Sequence, residues 1–255
     1  MPEVRVAALH RYPVKGLSPE RLDAADLAAG AYFPGDRLYA VENGPSGYDP
    51  AAPVHQPKIK FLMLMRDEAL ARLQTRYDDA AGTLTVREGG REVLSADLTS
   101  AEGRLALEAF LRRFVPGALR GPPKVLAAPE RDFRFTDSPR GHVSLLNLAS
   151  VAAIEDFVGS PVDPLRFRAN LHLEGLEPWA ELDLVGRTFT APSGLRLRVV
   201  QRTRRCAATN VDPATGIRDL AIPRTLTERL GHADCGVYAE VLSGGRIAEG
   251  DRLAA

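Results

Sequence analysis

The stretch Leu195-Arg196-Leu197-Arg198-Val199-Val200-Gln201-Arg202-Thr203-Arg204-Arg205-Cys206-Ala207-Ala208-Thr209-Asn210-Val211-Asp212-Pro213-Ala214-Thr215-Gly216 carries two signals in succession. Leu195, Leu197 and Val199 alternate with Arg196 and Arg198, the period-two pattern of a strand with one face buried and a basic face outside. Turn formers then take over, with Asp212-Pro213 reading as a turn initiator. A loop mounted on a rigid strand is a favoured place for a binding or catalytic residue. Cys206 stands at that junction behind Arg204 and Arg205, whose guanidinium charges favour the thiolate and so make it a better nucleophile or soft-metal ligand.

Upstream, Val4 to Tyr12 is rich in strand formers and stops at Pro13. Arg37 to Val41, Phe61 to Met65 and Thr83 to Arg87 read as further strands, the last followed by a Gly89-Gly90 turn. Asn43 to Pro57 carries so many Gly, Pro, Asn and Asp residues that it reads as a long loop, a feature usually tied to function or disorder. A helix is expected after Thr99, with Thr99 and Glu102 as a capping box and Leu107, Phe110, Leu111 and Phe114 on one face. The three prolines and two glycines of residues 116–124 mark a boundary, dividing the chain into 1–120 and 121–255. A second helix is expected over Leu148 to Val158, closed by Gly159-Ser160-Pro161. Gly236 to Leu242 and Arg246 to Leu253 read as closing strands around a Ser243-Gly244-Gly245 turn. Short strands without regular βαβ alternation predict a mainly β (α+β), barrel-like architecture with helical decoration.

Composition narrows the function. The 255 residues include 33 basic and 33 acidic side chains, a formal net charge of zero. That balance argues against a protein that wraps nucleic acid, which needs surplus Lys and Arg. No apolar run approaches the ~20 residues of a membrane helix, and no signal peptide is evident, so a soluble cytoplasmic protein is expected. Two cysteines, Cys206 and Cys235, cannot build a disulfide framework, a four-thiolate zinc site or a cysteine-ligated iron–sulfur cluster. Any redox chemistry here therefore needs electrons from another protein.

The segment from Cys206 to Gly216 resembles the C-x-x-T-x-V-D-P-x-T-G signature of MOSC domains, named for the C-terminal part of molybdenum-cofactor sulfurases. Leu9-His10-Arg11-Tyr12-Pro13-Val14-Lys15-Gly16 resembles the Y-P-V-K-S opening of the companion N-terminal β-barrel domain, and Gly35-Asp36-Arg37 its G-D-R element. Arg166-Phe167-Arg168-Ala169-Asn170 is similar to the family's R-F-R-x-N, and Gly245 to Leu253 to its closing I-x-x-G-D strand. By layout the chain resembles the mitochondrial amidoxime reducing component and its bacterial reductase relatives.

The resemblance implies an N-terminal MOSC-associated β-barrel domain over 1–120 and a MOSC domain over 121–255. It also implies one molybdenum cofactor (molybdopterin) between them. Cys206 is then the catalytic residue and the protein ligand to molybdenum, where a soft sulfur suits the metal. Lys15, Arg37, Arg166 and Arg168 are implied to hold the pterin and its phosphate, since guanidinium forks bind phosphate bidentately and a lysine adds a point charge. Arg204 lies in the same basic surround, while Asn170 and Thr209 are implied to supply neutral hydrogen bonds or to orient the cysteine loop. Gly16 replaces a family serine and offers a backbone N–H. His142 occupies a segment in which the family places small hydroxyl residues, and is a candidate for cofactor contact or proton delivery. Read on their own, Arg166 and Arg168 are two faces of one strand, only one of which points at a ligand. The family's T-x-R-x-x-P stretch is replaced by Val54-His55-Gln56-Pro57-Lys58, leaving Lys58 or Lys60 as a substitute for one arginine. His10, His55, His172 and His232 lack partners at metal-ligand spacing, and Cys235 reads as packing.

The activity implied is reduction of N-hydroxylated small molecules, such as amidoximes or hydroxylamino nucleobases, to the amine or amidine. Electrons would come from a flavin reductase, a ferredoxin or a cytochrome b5-like protein, with no nucleic-acid polymer or membrane as partner. The other reading is a cofactor carrier, or a sulfur carrier holding a persulfide on Cys206.

Overall fold

The computed structural model describes residues 3–129, 133–138 and 143–254. The alternating stretch is a strand over Arg196–Arg204, with Leu197 and Val199 buried and Arg196 and Arg198 exposed. In chain order the first half holds β1 (Val4–Arg11), β2 (Glu20–Leu22), β3 (Ala24–Leu27), β4 (Tyr39–Asn43), β5 (Leu73–Asp78), β6 (Thr83–Glu88), β7 (Arg91–Asp97) and α1 (Ala101–Phe114). Then follow β8 (Pro123–Ala127), β9 (Val143–Asn147), α2 (Leu148–Val158), β10 (Leu171–Glu174), β11 (Thr188–Thr190) and β12 (Arg196–Arg204). The remainder is α3 (Ile222–Leu230), β13 (Asp234–Ser243), β14 (Gly245–Ala248) and β15 (Arg252–Leu253). The architecture is mainly β, as the short strands and turn signals predict.

Among the described residues, eight strands form one curled sheet in the order β11-β12-β13-β9-β10-β1-β15, with β2 beside β1. The parallel pair β9 and β10 is joined through α2, the crossover that parallel strands require. The inward side chains of β1, β9, β10, β12 and β13, among them Val6, Leu145, Leu171, Leu197 and Val237, make one core. A second core lies between the β5-β6-β7 meander and α1, around Leu73, Leu84, Leu107 and Leu111. A third is shared by α2 and α3 and includes Ile154, Leu226 and Cys235.

The strands lace the two halves of the chain together. β1 lies between β10 and β15, β3 pairs with β14, and β8, just past residue 120, returns to pair with β4.

Four local expectations change. The cap of α1 is Ser100, whose Oγ accepts from Gly103 N, because Thr99 is held by Asp97 through both its backbone N and its hydroxyl. Phe61 to Met65 makes only a single bridge, from Phe61 to Glu42, and otherwise runs as loop. β13 and β14 do not form a hairpin across the Ser243-Gly244-Gly245 turn, because β14 crosses to β3. Arg166 and Arg168 are not on a strand: Pro164–Phe167 is a 3-10 turn capped by Asp163, and Arg168 closes it in the left-handed region.

Candidate functional site

A cleft of about 290 Å³ opens where the laced halves meet, at the lower end of the size that small-molecule ligands occupy. Lys15, Gly16 and Arg37 line it from the first half, and Arg166, Arg168, Asn170, Arg204, Cys206 and Thr209 from the second. Of the residues singled out from sequence, His142 lies outside the described residues.

The cysteine loop is built by its own hydrogen bonds. Cys206 is a free, half-buried thiol at the start of the 3-10 turn Ala207–Asn210. Buried Thr209 donates to the Cys206 carbonyl through both its backbone N (3.1 Å) and its Oγ1 (3.0 Å), so it orients the loop from inside. Beyond it, Val211 bridges Arg218 and the turn between them is organised by Asp212. Asp212 Oδ1 accepts from Ala214 N, Thr215 N and Thr215 Oγ1 at 2.7 to 3.0 Å. Burial opposes ionisation of Asp212, but these bonds together with Arg166 outweigh it and hold the carboxyl below the usual range. Arg218, which sequence reasoning did not single out, donates to the Ala207 carbonyl at 2.8 Å. It reaches Met65 O (3.2 Å) and Glu68 Oε2 (3.0 Å) of the first half as well.

The opposite wall concentrates positive charge. Arg37 donates to both oxygens of Asp36 and, through Nη2, to the Arg168 carbonyl at 3.1 Å. Arg37 and Arg168 stack on the ring of buried Tyr12, with guanidinium carbons 4.2 and 4.3 Å from its centroid. Burial pushes the Tyr12 hydroxyl up to about 12, so the ring is a neutral platform. Burial, and then repulsion from Arg37, pull the Arg168 guanidinium down to about 10. Among the described residues no carboxylate pairs with Arg168 or with exposed Arg204. Arg37 and Arg168 have φ of 48° and 54°, two of the three non-glycine residues at positive φ among those described. Backbone held in that region costs roughly 1 kcal/mol or more and gathers at ligand sites.

Lys15 is buried and donates to the Phe135 carbonyl (2.9 Å) and to Asp137. Burial lowers its pKa. The same burial works against ionisation of Asp137, yet Lys15, Lys58 and Arg37 hold that carboxyl well below the carboxylate range. Lys58 lines the cleft, 4.0 Å from Asp137. Its own pKa rises, because attraction to Asp137 and to the Cys206 sulfur exceeds the cost of burial. Lys58 rather than Lys60 is thus the cation delivered by the long loop. Asp137 gave no signal in the sequence, since its partner is Lys15, far away along the chain.

Two assignments, Arg166 and Asn170, come out differently from their sequence reading. Arg166 touches the cleft, but its fork is committed to Asp219 (two bonds of 2.7 Å) and Asp212 (3.2 Å), so its charge is already neutralised. Asn170 lends its side chain to bracing strands: Oδ1 accepts from Ser144 N and Oγ, and Nδ2 donates to the His10 carbonyl. Gly16 has φ +86°, and a Cβ there would stand 2.9 Å from the Leu62 carbonyl oxygen, so its backbone conformation favours glycine over serine. Cys235 is fully buried, its thiol pushed up to about 12 by that burial, as befits a packing residue. No cluster of three or more His, Cys, Asp or Glu side chains able to hold a metal exists among the described residues. No helix among them is long and apolar enough to cross a membrane.

The donor set fits one small anionic ligand carrying a soft metal. Among the described residues, a thiol stands on one side, a guanidinium without a counter-ion on the other, and buried Thr203 Oγ1 and an Arg205 Nη on the wall have no hydrogen-bond partner. A phosphate at the arginines and a metal at the sulfur would use these groups.

Models of two domain families match the chain, the MOSC N-terminal beta barrel domain over residues 3–113 and the MOSC domain over residues 132–254. Among solved structures, the YUAD protein from Bacillus subtilis is 13% identical with a TM-score of 0.45, covering 99% of this chain and 97% of that one. YiiM from Geobacillus stearothermophilus is 23% identical with a TM-score of 0.35, over 44% of this chain and 52% of that one. No curated protein sequence matches.

Proposed function

Because the chain belongs to the MOSC-domain family and carries the family's N-terminal barrel ahead of the MOSC domain, we propose that its cleft holds a molybdenum–pterin cofactor and that it reduces N-hydroxylated small molecules. One observation carries this reading: the free thiol of Cys206 and the half-buried guanidinium of Arg168, which has no carboxylate partner among the described residues, line the same cleft. Such a pair is costly in an empty protein and useful to a ligand that is anionic at one end and thiophilic at the other.

Cys206 Sγ would ligate molybdenum, with Lys58 on the same cleft wall. Arg168, over the ring of Tyr12, would take the phosphate as a fork, with Arg37, already paired with Asp36, beside it on the same ring. Arg204, exposed on the wall, is free to meet the ligand or the substrate. The Gly16 N–H and the Thr203 hydroxyl would satisfy remaining acceptors. When bound, the cofactor supplies a two-electron redox centre for removing the oxygen of an N–OH group. The overall conversion consumes two electrons and two protons and yields the amine or amidine and water. The electrons come from an external flavin, ferredoxin or cytochrome b5-like protein, because neither cysteine forms a redox couple with the other.

Protein made in cells able to synthesise the cofactor is expected to hold molybdenum near one per chain, and Cys206→Ser to lose at least nine-tenths of it. The loaded wild type should turn over benzamidoxime with a reduced viologen dye. Loaded but inactive protein favours the carrier reading, and metal-free protein bearing a persulfide mass on Cys206 overturns the enzyme.

A further inference from the structure

The sequence Arg166-Phe167-Arg168 presents two arginines to one cleft, and the structure gives them opposite circumstances. Arg168 has no carboxylate partner among the described residues. Arg166, its side chain only 2% exposed, bonds two carboxylates that both belong to the cysteine loop. Asp219 takes its fork bidentately at 2.7 Å, and Asp212 Oδ2 accepts a third bond at 3.2 Å. Asp212 divides its labour, with Oδ2 on Arg166 and Oδ1 on the turn at 214–215. Asp219 N in turn donates to the Asn210 carbonyl at 3.1 Å. The guanidinium therefore grips both arms of the small hairpin that follows Cys206. The backbone of the same 3-10 turn ends at Arg168, whose N donates to the Leu165 carbonyl.

From this geometry we infer that Arg166 is a positioning residue, a strut that fixes the separation between the Cys206 thiol and the Arg168 guanidinium. The inference rests on the reading that both groups hold one ligand. A ligand gripped at two points loses affinity steeply when their spacing wanders, which is why a rigid mount matters. The chemistry suits arginine, because its planar fork grips Asp219 bidentately while still reaching Asp212, a geometry that a lysine cannot reproduce.

The test uses the full chain and follows alkylation of Cys206 by iodoacetamide, with Cys235 shielded by burial. Arg166→Lys keeps the charge but not the fork. Asp212→Asn keeps an acceptor for the turn while removing the one that meets Arg166. Each is expected to speed alkylation three- to tenfold and to lower molybdenum retention at least fivefold in cofactor-competent cells. In the double variant the two changes should not multiply: Asp212→Asn should add less than twofold on the Arg166→Lys background, because both break one strut. Thermal unfolding within a few degrees of wild type for Asp212→Asn separates the effect from loss of folding. Unchanged alkylation in both single variants, or effects that multiply fully, would overturn the strut. If alkylation responds as expected while wild-type protein never holds molybdenum, the strut stands and the proposed cofactor falls.

Discussion

Two buried polar regions flank the strand pair β9 and β13, and they are finished to different standards. Beneath α2, the Glu181 carboxylate is 1% exposed and accepts from Asn147 Nδ2, Ser150 Oγ and Gly236 N at 2.8 to 3.1 Å. Ser150 Oγ accepts from Trp179 N in turn, and Asn147 Oδ1 caps α2. Each of those groups has a partner. In the cleft, by contrast, Thr203 Oγ1 and an Arg205 Nη are buried without one, and Arg168 has no counter-ion among the described residues. Closed networks of the first kind fix a fold, whereas open ones of the second kind store free energy that a ligand can release.

The comparison can be broken most directly at Glu181. Glu181→Ala strips partners from a buried amide and a backbone N–H, and is expected to lose about 3 kcal/mol of stability in urea unfolding. A neutral result would mean that the closed network contributes nothing. An effect smaller per unit of pH comes from a third region, His10 and His172, whose rings lie 4.7 Å apart and each keep one buried nitrogen unpaired among the described residues. Burial, then the Arg21 charge, holds His10 at about 4, and burial, then His10 itself, holds His172 at about 3. Both are neutral in the folded protein at pH 6.5, the unfolded value, so they leave stability unchanged above that pH and lower it as pH falls towards 4. The slope should be about 1.4 kcal/mol per pH unit for each histidine, and His10→Gln should remove one of the two from a pH series of unfolding midpoints. The least effect tests the open region. Arg168→Gln removes a half-buried charge repelled by Arg37 and is expected to raise the stability of ligand-free protein by about 1 kcal/mol while cofactor retention falls. A destabilised Arg168→Gln would show that the charge is structural after all.

Much of the cleft was legible in the sequence because its residues fall in short local runs. Cys206 with Thr209, Arg37 in a Gly-Asp-Arg element and the Tyr-Pro-Val-Lys opening each keep fixed internal spacing, and all reach the cleft. What was not legible is set by pairing across the chain. Asp137 is meaningful only beside Lys15, and Arg218 only beside Glu68. The direction of Arg166 follows from the 3-10 turn Pro164–Phe167, and period-two reasoning cannot anticipate that. The same holds for the fold. Strands announced themselves by alternation, but the partner of β14 is β3, and nothing local to either says so. α3 escaped notice because Pro223 opens it and only Ile222 and Leu226 are buried along it, too few to display a helical stripe.

The position of β1 between β10 and β15 also has a consequence for how the protein comes into being. Lys15 follows directly on a strand that has no sheet neighbour from the main sheet except β2 until residues 171–174 have left the ribosome, and its other edge waits for residues 252–253. Pairings so distant in sequence make for slow closure. The thiol and the first-half cations therefore meet only after translation has passed both, and any group seated between Lys15 and Cys206 has to be acquired after both residues have been made.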